Sequence, residues 1–453
     1  MAPSLRPYQR ELIDDAQKKM RTQKWVCAVL PTGAGKTLTA TEVVRRSQAK
    51  GKRVYWTAHR KELVEQASQG FMKAGIPHGL VMVGEKQTDH RVQVCSIQSL
   101  SRRLDSYERP DLLIMDECHH VKAKTWMDVV ERWRGAFCLG LTATPRRLDG
   151  KGLKDVFGGM VVGPSIEELI KAGYLCKFRL FSRPLDMSGI KVTGGDYNKE
   201  QMEKRVREAH IMGDLMDEYR SRGGGQMVVF APTIQYSKDF VAYNDGAVHV
   251  DGKTTRRERG AILNDFKAKR IKILSNVDLF TEGVDIPSIE YVGILRPTHS
   301  EALFLQMAGR GLRNAEGKNQ CIVLDHAGNC GRHGLIDDDR EWKLETDKIK
   351  QKTVEASVTI CTKCFGAYRG TNCPYCGLER TPAQARKIKE IEGKLVEMKK
   401  TKEERKKEKT MARYEYYKAK SEIASYEDAE KFAKERGYKP GWAMHYWSNK
   451  KKG

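Results

Sequence analysis

A glycine-rich turn between an apolar run and a helix-forming run constrains this chain more than any other feature. Residues 29–37 read VLPTGAGKT; the apolar run, residues 26–30, leads into the turn, and the helix-forming run, residues 38–46, follows it. In that order, the glycines let successive backbone N–H groups and the helix N-terminus point at a phosphate group. The lysine can then reach the β- and γ-phosphates, and the last threonine can ligate magnesium. The predicted nucleotide-binding residues of the turn are Thr32, Gly33, Ala34, Gly35, Lys36 and Thr37.

Length and charge set the bounds for the rest of the chain. Its 453 residues suffice for roughly two or three domains, each with its own core. The formal net charge of +23 points to a polyanionic partner, with nucleic acid as the first candidate and a merely solubilising surface as the alternative. No apolar run reaches the about 18 residues that span a bilayer, and no apolar signal segment follows Met1. We therefore expect a cytoplasmic protein without membrane contact.

Strand-like and helix-like runs alternate through the first part of the chain. The strand-like runs are residues 54–58, 92–96, 112–115 and 137–141. This alternation predicts the α/β class, with a doubly wound parallel sheet whose ligands collect at the carboxyl ends of its strands.

Two adjacent carboxylates end the most apolar of these runs, residues 112–115. In an enzyme with a phosphate-binding loop, Asp116 would hold Mg²⁺ and Glu117 would activate the attacking water. His119 would either couple this site to a nucleic-acid site or be satisfied within the core. After the next strand, residues 142–145 (TATP) offer hydroxyl groups suited to linking two sites by hydrogen bonds.

Residues 5–11, which read LRPYQRE, precede the phosphate-binding loop. A tyrosine beside an arginine and a glutamine could stack on an adenine and hydrogen-bond to it. The same residues could equally form a helix start with Pro7 in its first turn. The residues predicted to contact the base are Arg6, Tyr8 and Gln9.

The motifs LRPYQ, PTGAGKT, TAHR, DECH and TATP, in this order, resemble the first motor domain of the superfamily 2 helicases and translocases. The resemblance implies a fold of two tandem RecA-like domains with doubly wound parallel sheets, and runs that match the second domain are present. They are residues 226–233, 249–254, 271–287 and 306–313. The expected boundaries are 1–165 and 166–345 for the two motor domains, 346–380 for a zinc knuckle or ribbon and 381–453 for a basic helical tail.

Three further segments narrow the resemblance. GLTATPRRLDGKGL at 140–153, GPSI at 163–166 and LDHAGN at 324–329 are similar to the phage and prophage DEAD/DEAH-box helicases. These group with the XPB, type III restriction-subunit and UvsW-like branch, which acts mainly on DNA. Glu282 stands where many RNA-acting relatives carry an arginine, so RNA is the less favoured substrate. A phage origin would place the protein in the host cytoplasm.

The resemblance also implies roles for residues of the second domain. Gln306 and Arg310 should lie near the water and the γ-phosphate, and Arg313 should act as the arginine finger. Such an arginine stabilises the transition state only when the cleft closes, which ties hydrolysis to domain motion. Gly283 and Asp285 should reach the nucleotide from the same side. Together with Lys36, Asp116 and Glu117, the two arginines and the glutamine complete the predicted catalytic set.

The nucleic-acid strand is expected to cross both domains opposite the nucleotide cleft. Its phosphates would meet hydroxyls, arginines and helix N-termini, which carry no sequence information. A serine or threonine in a loop is equally common as a turn or cap residue. The candidates are His59, Arg60, Gln98, Ser99, Thr233, Thr254, Ser275 and Asn276.

Four of the 11 cysteines form two Cys-x-x-Cys pairs near the C-terminus, whereas the others lie singly, as is typical of reduced core thiols. Paired knuckles of this kind favour a closed tetrahedral zinc site without a catalytic position. A disulfide pair and an iron–sulfur cluster are the alternatives. The predicted zinc ligands are Cys361, Cys364, Cys373 and Cys376.

The tail changes composition after residue 380. It is charged and helix-forming, and it ends in an aromatic and basic stretch, residues 437–452. Rings such as those of Trp442 and Trp447 could stack on unpaired bases while lysines hold phosphates. Alternatively, the tail could dock on the motor domains or on a protein partner.

Together these features predict an ATP-dependent DNA helicase or translocase that needs ATP, Mg²⁺ and Zn²⁺. It would unwind or branch-migrate forked or branched DNA in replication, recombination or repair. The alternatives are a nucleic-acid-stimulated ATPase subunit of a larger DNA-processing complex and an RNA helicase.

Overall fold

The computed structural model describes residues 5–121, 123–147, 152–283, 286–345, 358–379 and 425–435, together with Met444 and Trp447. By its internal contacts the chain divides into two compact units. Unit 1 comprises Met1–Lys238 and Gly246–Arg369, and unit 2 comprises Asp239–Asp245 and Gly370–Gly453. Both large sheets belong to unit 1. Among the described residues, no helix has the length and apolar character that a membrane span requires.

Seven parallel strands form the first sheet. They are β1 (Trp25–Val29), β2 (Val54–Ala58), β3 (Gly79–Val81), β4 (Val92–Ser96), β5 (Leu112–Asp116), β6 (Phe137–Thr142) and β7 (Gly159–Val162). Their order across the sheet is β3-β4-β2-β5-β6-β1-β7. The helices of this part are α1 (Pro7–Met20), α2 (Lys36–Ala49), α3 (Lys61–Lys73), α4 (Ile97–Ser101) and α5 (Lys124–Arg132). We call this part the first domain.

The strands β1, β2 and β5 of the first sheet are buried along their whole length because both faces of the sheet are covered. Successive side chains of a strand point to opposite faces, and β1 shows the result. Ala28 joins one apolar cluster, which includes Trp56 and Phe71, whereas Cys27 joins the other, which includes Trp126. The sheet therefore lies between two separate cores, as the doubly wound fold requires.

A second all-parallel sheet follows in the chain. Its neighbourhood contains β8 (Lys177–Ser182), the hairpin strands β9 (Val192–Thr193) and β10 (Asp196–Tyr197), β11 (Met227–Phe230), β12 (Ala247–Val250), β13 (Ile273–Asn276), β14 (Tyr291–Ile294) and β15 (Gln320–Asp325). The sheet order is β12-β13-β11-β14-β15-β8. The helices are α6 (Ile166–Lys171), α7 (Lys199–Glu208), α8 (Ile211–Ser221), α9 (Ile234–Tyr243), α10 (Arg256–Lys267), α11 (Glu301–Gly309) and α12 (Asn329–His333). We call the part of unit 1 built on this sheet the second domain; the predicted fold of two parallel-sheet domains is confirmed.

A return segment, residues 342–345, brings the chain back from the second domain to the first. The carbonyl oxygen of Leu344 accepts hydrogen bonds from the backbone N–H groups of Leu153 at 2.8 Å and Lys154 at 3.0 Å. Trp342 packs against both large apolar clusters. The two domains are therefore joined by the connection that contains α6 and, in addition, by this segment.

Two small elements complete the described structure. Strands β16 (Thr359–Ile360) and β17 (Ala367–Tyr368) pair antiparallel in the cysteine-bearing segment. In the tail, the structure describes one helix, α13 (Tyr426–Glu435).

His326 makes the stability of the second domain depend on pH. Its side chain follows β15 and is only 4% exposed. Burial, together with the charges of Arg183 and Arg222, lowers the pKa of His326 to about 3. In the unfolded chain a histidine titrates near pH 6.5, so below that pH the unfolded state binds a proton that the folded state does not. Stability is therefore lost as the pH falls.

Through His326, we expect the free energy of unfolding of the wild-type protein to fall by about 2 kcal/mol when the pH is lowered from 7 to 5. Denaturant unfolding of His326→Gln at the two pH values should show a pH-dependent loss that is smaller by this amount. His90→Gln, at an exposed histidine, is the matched control and should behave as the wild type does. An equal pH dependence of His326→Gln and the control would contradict the assignment.

Candidate active site

The phosphate-binding loop lies between the end of β1 and the start of α2. Gly33 has a φ of 87° and Gly35 a φ of 84°, in the left-handed region that favours glycine. A Cβ on Gly35 would lie 2.5 Å from the side-chain nitrogen of Gln9. The loop therefore has the backbone curvature that presents N–H groups to an anion, and side chains in place of either glycine would strain it.

The residues predicted to contact the base are tied to this loop. The Tyr8 hydroxyl donates to the carbonyl oxygen of Ala34 at 2.7 Å, and Nε2 of Gln9 donates to the same oxygen at 3.1 Å. The Arg6 guanidinium lies 4.6 Å from the ring centre of Tyr174. Tyr8 and Gln9 thus stabilise the conformation of the phosphate-binding loop, and Arg6 donates to the Tyr8 hydroxyl at 3.3 Å.

Lys36 and the two adjacent carboxylates meet at the carboxyl ends of β1 and β5. Nζ of Lys36 lies 3.8 Å from Oε1 of Glu117, and both side chains are largely buried. Glu117 has a φ of 51°, so the chain turns sharply after Asp116. Parallel pairing with β6 places Asp116 beside Leu141 and Val29 beside Thr142. This common register collects the loop, the carboxylates and Thr142 at one edge of the sheet.

The electrostatics of the carboxylates fit a divalent cation. Burial, followed by the charge of Glu117, raises the pKa of Asp116 to about 7. Oε2 of Glu117 is buried and accepts no hydrogen bond from the described residues. Two buried carboxylates next to one lysine hold more negative charge than the protein compensates, and hard carboxylate oxygens are ligands that Mg²⁺ prefers.

A cavity of about 620 Å³ lies between the phosphate-binding loop and the second domain. Its volume lies within the about 300–1,000 Å³ that is usual for small-molecule sites. From the first domain, the phosphate-binding loop and Glu117 line it. From the second domain, its lining includes Gly283, Arg310 and Arg313. Asp285, predicted to act beside Gly283, lies outside the described residues.

The end of α11 packs directly onto the phosphate-binding loop. A Cβ on Gly309 would lie 2.7 Å from Cβ of Thr32, so the backbones of the two domains approach closely here. Arg310 is 5% exposed, and its Nη2 donates to the carbonyl oxygen of Thr281 at 2.6 Å. Gln306 is buried at the same place, and its Nε2 donates to no described residue.

Sequence reasoning missed the role of Glu282 as the centre of a cluster of charged and ring side chains. This carboxylate is 4% exposed, and nitrogens of His59, His119, His120 and Arg60 lie 3.0–3.6 Å from its oxygens. Burial alone would raise the pKa of Glu282, but hydrogen bonds from His119, His120 and His59 outweigh it and hold the pKa well below its usual value. The available signal was Glu282 itself, which precedes Gly283 in the loop after β13.

The predicted nucleic-acid residues of the motor domains divide by exposure: five have side chains that are at least partly exposed, and three have buried side chains. Gln98 is exposed, and its Nε2 donates to the carbonyl oxygen of His59 at 3.0 Å. Thr233 and Thr254 are half-buried, and their hydroxyl oxygens accept from backbone N–H groups in local turns. His59 and Arg60, although partly exposed, are engaged by the second domain through the Glu282 cluster.

The other three candidates in the motor domains have buried side chains. Ser99 is 5% exposed, and Ser275 and Asn276 are 0% exposed. The Ser275 hydroxyl pairs with that of Ser237 at 2.6 Å, and Nδ2 of Asn276 donates to the carbonyl oxygen of Val229 at 2.9 Å. In this conformation Ser275 and Asn276 connect neighbouring elements of the second domain, and none of the three side chains faces solvent.

The four predicted zinc ligands come together within residues 358–379. Their sulfur atoms all lie within 4.8 Å of one another, a grouping that could hold a metal ion. The turn after the first pair packs on the edge strand β8, where the backbone N–H of Ser182 donates to the carbonyl oxygen of Phe365 at 2.9 Å. The donor set of four thiols fits Zn²⁺. In the tail, Trp447 is half-buried, whereas Trp442 lies outside the described residues.

Two family descriptions match this chain. Residues 2–147 match the type III restriction enzyme res subunit, and residues 210–315 match the helicase conserved C-terminal domain. Among curated proteins, a 51.5 kDa protein of a Lactococcus phage is 33% identical over 340 residues, which cover 74% of this chain and 72% of that protein.

A second relative and a solved structure extend the comparison. The DNA 3′-5′ translocase XPB2 of Sulfurisphaera tokodaii is 25% identical over 69% of this chain and 79% of that protein. The ATP-dependent Type ISP restriction-modification enzyme LlaBIII, solved bound to DNA, superposes with a TM-score of 0.54 at 16% identity. That match covers 71% of this chain and 27% of the enzyme, so it supports the fold of the two domains alone.

Proposed function

We propose a function on the premise that this chain belongs to the superfamily 2 helicases of the phage, XPB and restriction-subunit kind, and is thus an ATP-dependent helicase. The specific activity proposed is ATP-driven translocation along DNA, with unwinding or branch migration of forked or branched DNA. One observation supports it most: a single cavity is lined by the phosphate-binding loop, Glu117 and two arginines of the other domain. The DNA translocase among the relatives supports DNA over RNA.

The residues of the cavity divide the chemistry of hydrolysis among them. Backbone N–H groups of the loop and Nζ of Lys36 would bind the phosphates of ATP. Thr37 and Asp116 would hold Mg²⁺, which when bound neutralises phosphate charge. An oxygen of Glu117 would orient the attacking water and accept its proton. Arg310 and Arg313 would stabilise the charge that develops on the γ-phosphoryl oxygens.

Domain motion follows from where these groups are attached. The two arginines reach the phosphates only from the second domain, so hydrolysis requires closure of the cleft between the sheets. Release of the products would let the cleft open again. With a DNA strand bound across both domains, each cycle of closing and opening would move one domain along the strand.

Three further assignments belong to this proposal. Zn²⁺ on the four cysteines would be structural, because a closed set of four thiolates leaves no open position. The aromatic tail would contact unpaired bases or a protein partner. The phage relative supports a phage-encoded protein, and we propose that it acts in the host cytoplasm, in replication, recombination or repair.

Strand displacement tests the proposal directly. The full chain is incubated with ATP and forked DNA, a four-way junction or a fork of RNA, and Glu117→Gln is the negative control. We expect displacement of DNA that the control lacks, with branch migration if the junction is preferred. DNA-stimulated ATPase activity without displacement would instead favour a motor subunit of a larger complex. Greater stimulation by RNA than by DNA would contradict the proposed substrate.

A further inference from the structure

Glu282 joins the two domains at a point that the proposed chemistry does not use. It follows β13 in the second domain, whereas the histidines around it follow strands of the first. Nε2 of His59 lies 3.0 Å from one carboxylate oxygen; Nε2 of His120 and Nε2 of His119 lie 3.2 Å and 3.4 Å from the other. Three imidazoles of one domain thus converge on one buried carboxylate of the other.

His119 connects this cluster with the catalytic carboxylate. Its Nε2 faces Glu282, while its Nδ1 lies 3.4 Å from Oε2 of Glu117 and 3.1 Å from the hydroxyl of Thr142. Thr142 in turn donates to the carbonyl oxygen of Thr144 at 2.8 Å. An imidazole with contacts at both nitrogens has a fixed ring orientation, as in catalytic and metal sites where a carboxylate orients a histidine. Glu282 can therefore set how His119 is presented to Glu117.

The loop that carries Glu282 also binds Arg60, which with His59 is proposed to contact DNA. Nη1 of Arg60 donates to the carbonyl oxygens of Asp278 at 2.7 Å and Leu279 at 3.0 Å. His59 shares Glu282 with His119 and lies 4.1 Å, ring centre to ring centre, from His120. A strand that engaged His59 and Arg60 would thus act on the residues that hold Glu282.

Burial makes this contact sensitive to closure. A buried carboxylate is costly unless it is paired, so Glu282 is stabilised in this position only while the histidines surround it. If the domains separate, Glu282 regains water and Nε2 of His119 loses its partner. A metal ion is the less favoured occupant of the cluster, because the Arg60 guanidinium lies 3.6 Å from the same carboxylate and would repel it.

We infer that Glu282 is a positioning residue that couples DNA binding and domain closure to catalysis by orienting His119 against Glu117. The inference rests on the proposed function, since it presupposes hydrolysis that DNA stimulates. Glu282 does not touch the nucleotide cavity in this assignment. Its loss should therefore affect the turnover of bound ATP and leave the binding of ATP and DNA nearly unchanged.

The test compares two carboxylates that both bridge the domains. Glu282→Gln removes the charge of the cluster; Glu62→Gln removes the carboxylate that pairs with Arg259 and makes no contact with the histidines. ATPase rates of the full chain are measured without DNA and with saturating forked DNA. We expect Glu282→Gln to lose DNA stimulation by about 10–100-fold, with KM for ATP and Kd for DNA within about twofold of wild type. Glu62→Gln should keep the stimulation.

Three further variants separate this role from simple misfolding. His119→Asn should lose stimulation to a similar extent, and His119→Asn combined with Glu282→Gln should lose little more, because both act through one contact. Glu282→Asp should restore part of the stimulation. Full stimulation in Glu282→Gln, a loss explained by KM or Kd, or additive losses in the double variant would overturn the inference. A wild-type ATPase indifferent to DNA would show on its own that the proposed function is wrong, and the inference would fail with it.

Discussion

Glu117→Gln is expected to lower kcat for ATP hydrolysis by about 10³-fold while the protein still folds and binds nucleotide. Glutamine keeps the size of the side chain, so the buried contacts with Lys36 and His119 can persist. It carries no negative charge, however, and cannot accept a proton from the attacking water. Steady-state phosphate release at saturating ATP and DNA measures the loss, and nucleotide affinity is measured separately.

Glu131→Gln is the matched control for this experiment. Glu131 is an exposed glutamate of α5 in the same domain. We expect this variant to hydrolyse ATP at the wild-type rate. If Glu117→Gln did so as well, the assignment of the general base would be wrong, and another group at the carboxyl ends of the strands would have to activate the water.

Arg313→Ala is expected to lower kcat by about 10³-fold or more, with a much smaller change in the affinity for ATP. The side chain lines the cavity from the second domain, and its Cγ would lie 3.4 Å from a Cβ on Gly33. A guanidinium above the phosphate-binding loop matters most when charge builds up on the γ-phosphoryl oxygens. Loss of this stabilisation should therefore lower kcat and kcat/KM together.

Arg257→Ala, at an exposed arginine of α10, controls for the loss of one positive charge from the second domain. It should leave ATP hydrolysis unchanged. A rise in KM with an unchanged kcat in Arg313→Ala would mean that the arginine binds ATP without stabilising the transition state. A different arginine of the second domain would then have to stabilise the transition state when the cleft closes.

Local sequence predicted the α/β class and the phosphate-binding loop, and the resemblance to the superfamily 2 helicases implied the two-domain fold. Central strands such as β1, β5 and β11 are buried along their whole length, so they are apolar runs that the sequence shows directly. The loop carries its own conformational signal, because Gly33 and Gly35 occupy the positions with positive φ. These features depend on neighbours in sequence, and sequence analysis detects such neighbours well.

Features that depend on distant residues could not be predicted in the same way. Ser275 and Asn276 end a strand near the expected path of the nucleic acid, but only the packing of β11 and α9 shows that their side chains are buried. The contacts of Glu282 join segments far apart in the chain and exist only when two domains meet. Polar residues at the end of a strand predict that this edge of the sheet binds a ligand. They do not predict which of the side chains are exposed to that ligand.

The return segment limits how the cleft can open. The chain crosses from the first domain to the second at α6. It returns at Leu344, whose carbonyl oxygen accepts hydrogen bonds from the backbone N–H groups of Leu153 and Lys154. The two domains are therefore connected at two places, which define a line between them. Such an arrangement allows rotation about that line and resists sliding or twisting apart. If ATP hydrolysis closes the cleft as proposed, the movement would be a rotation about this line.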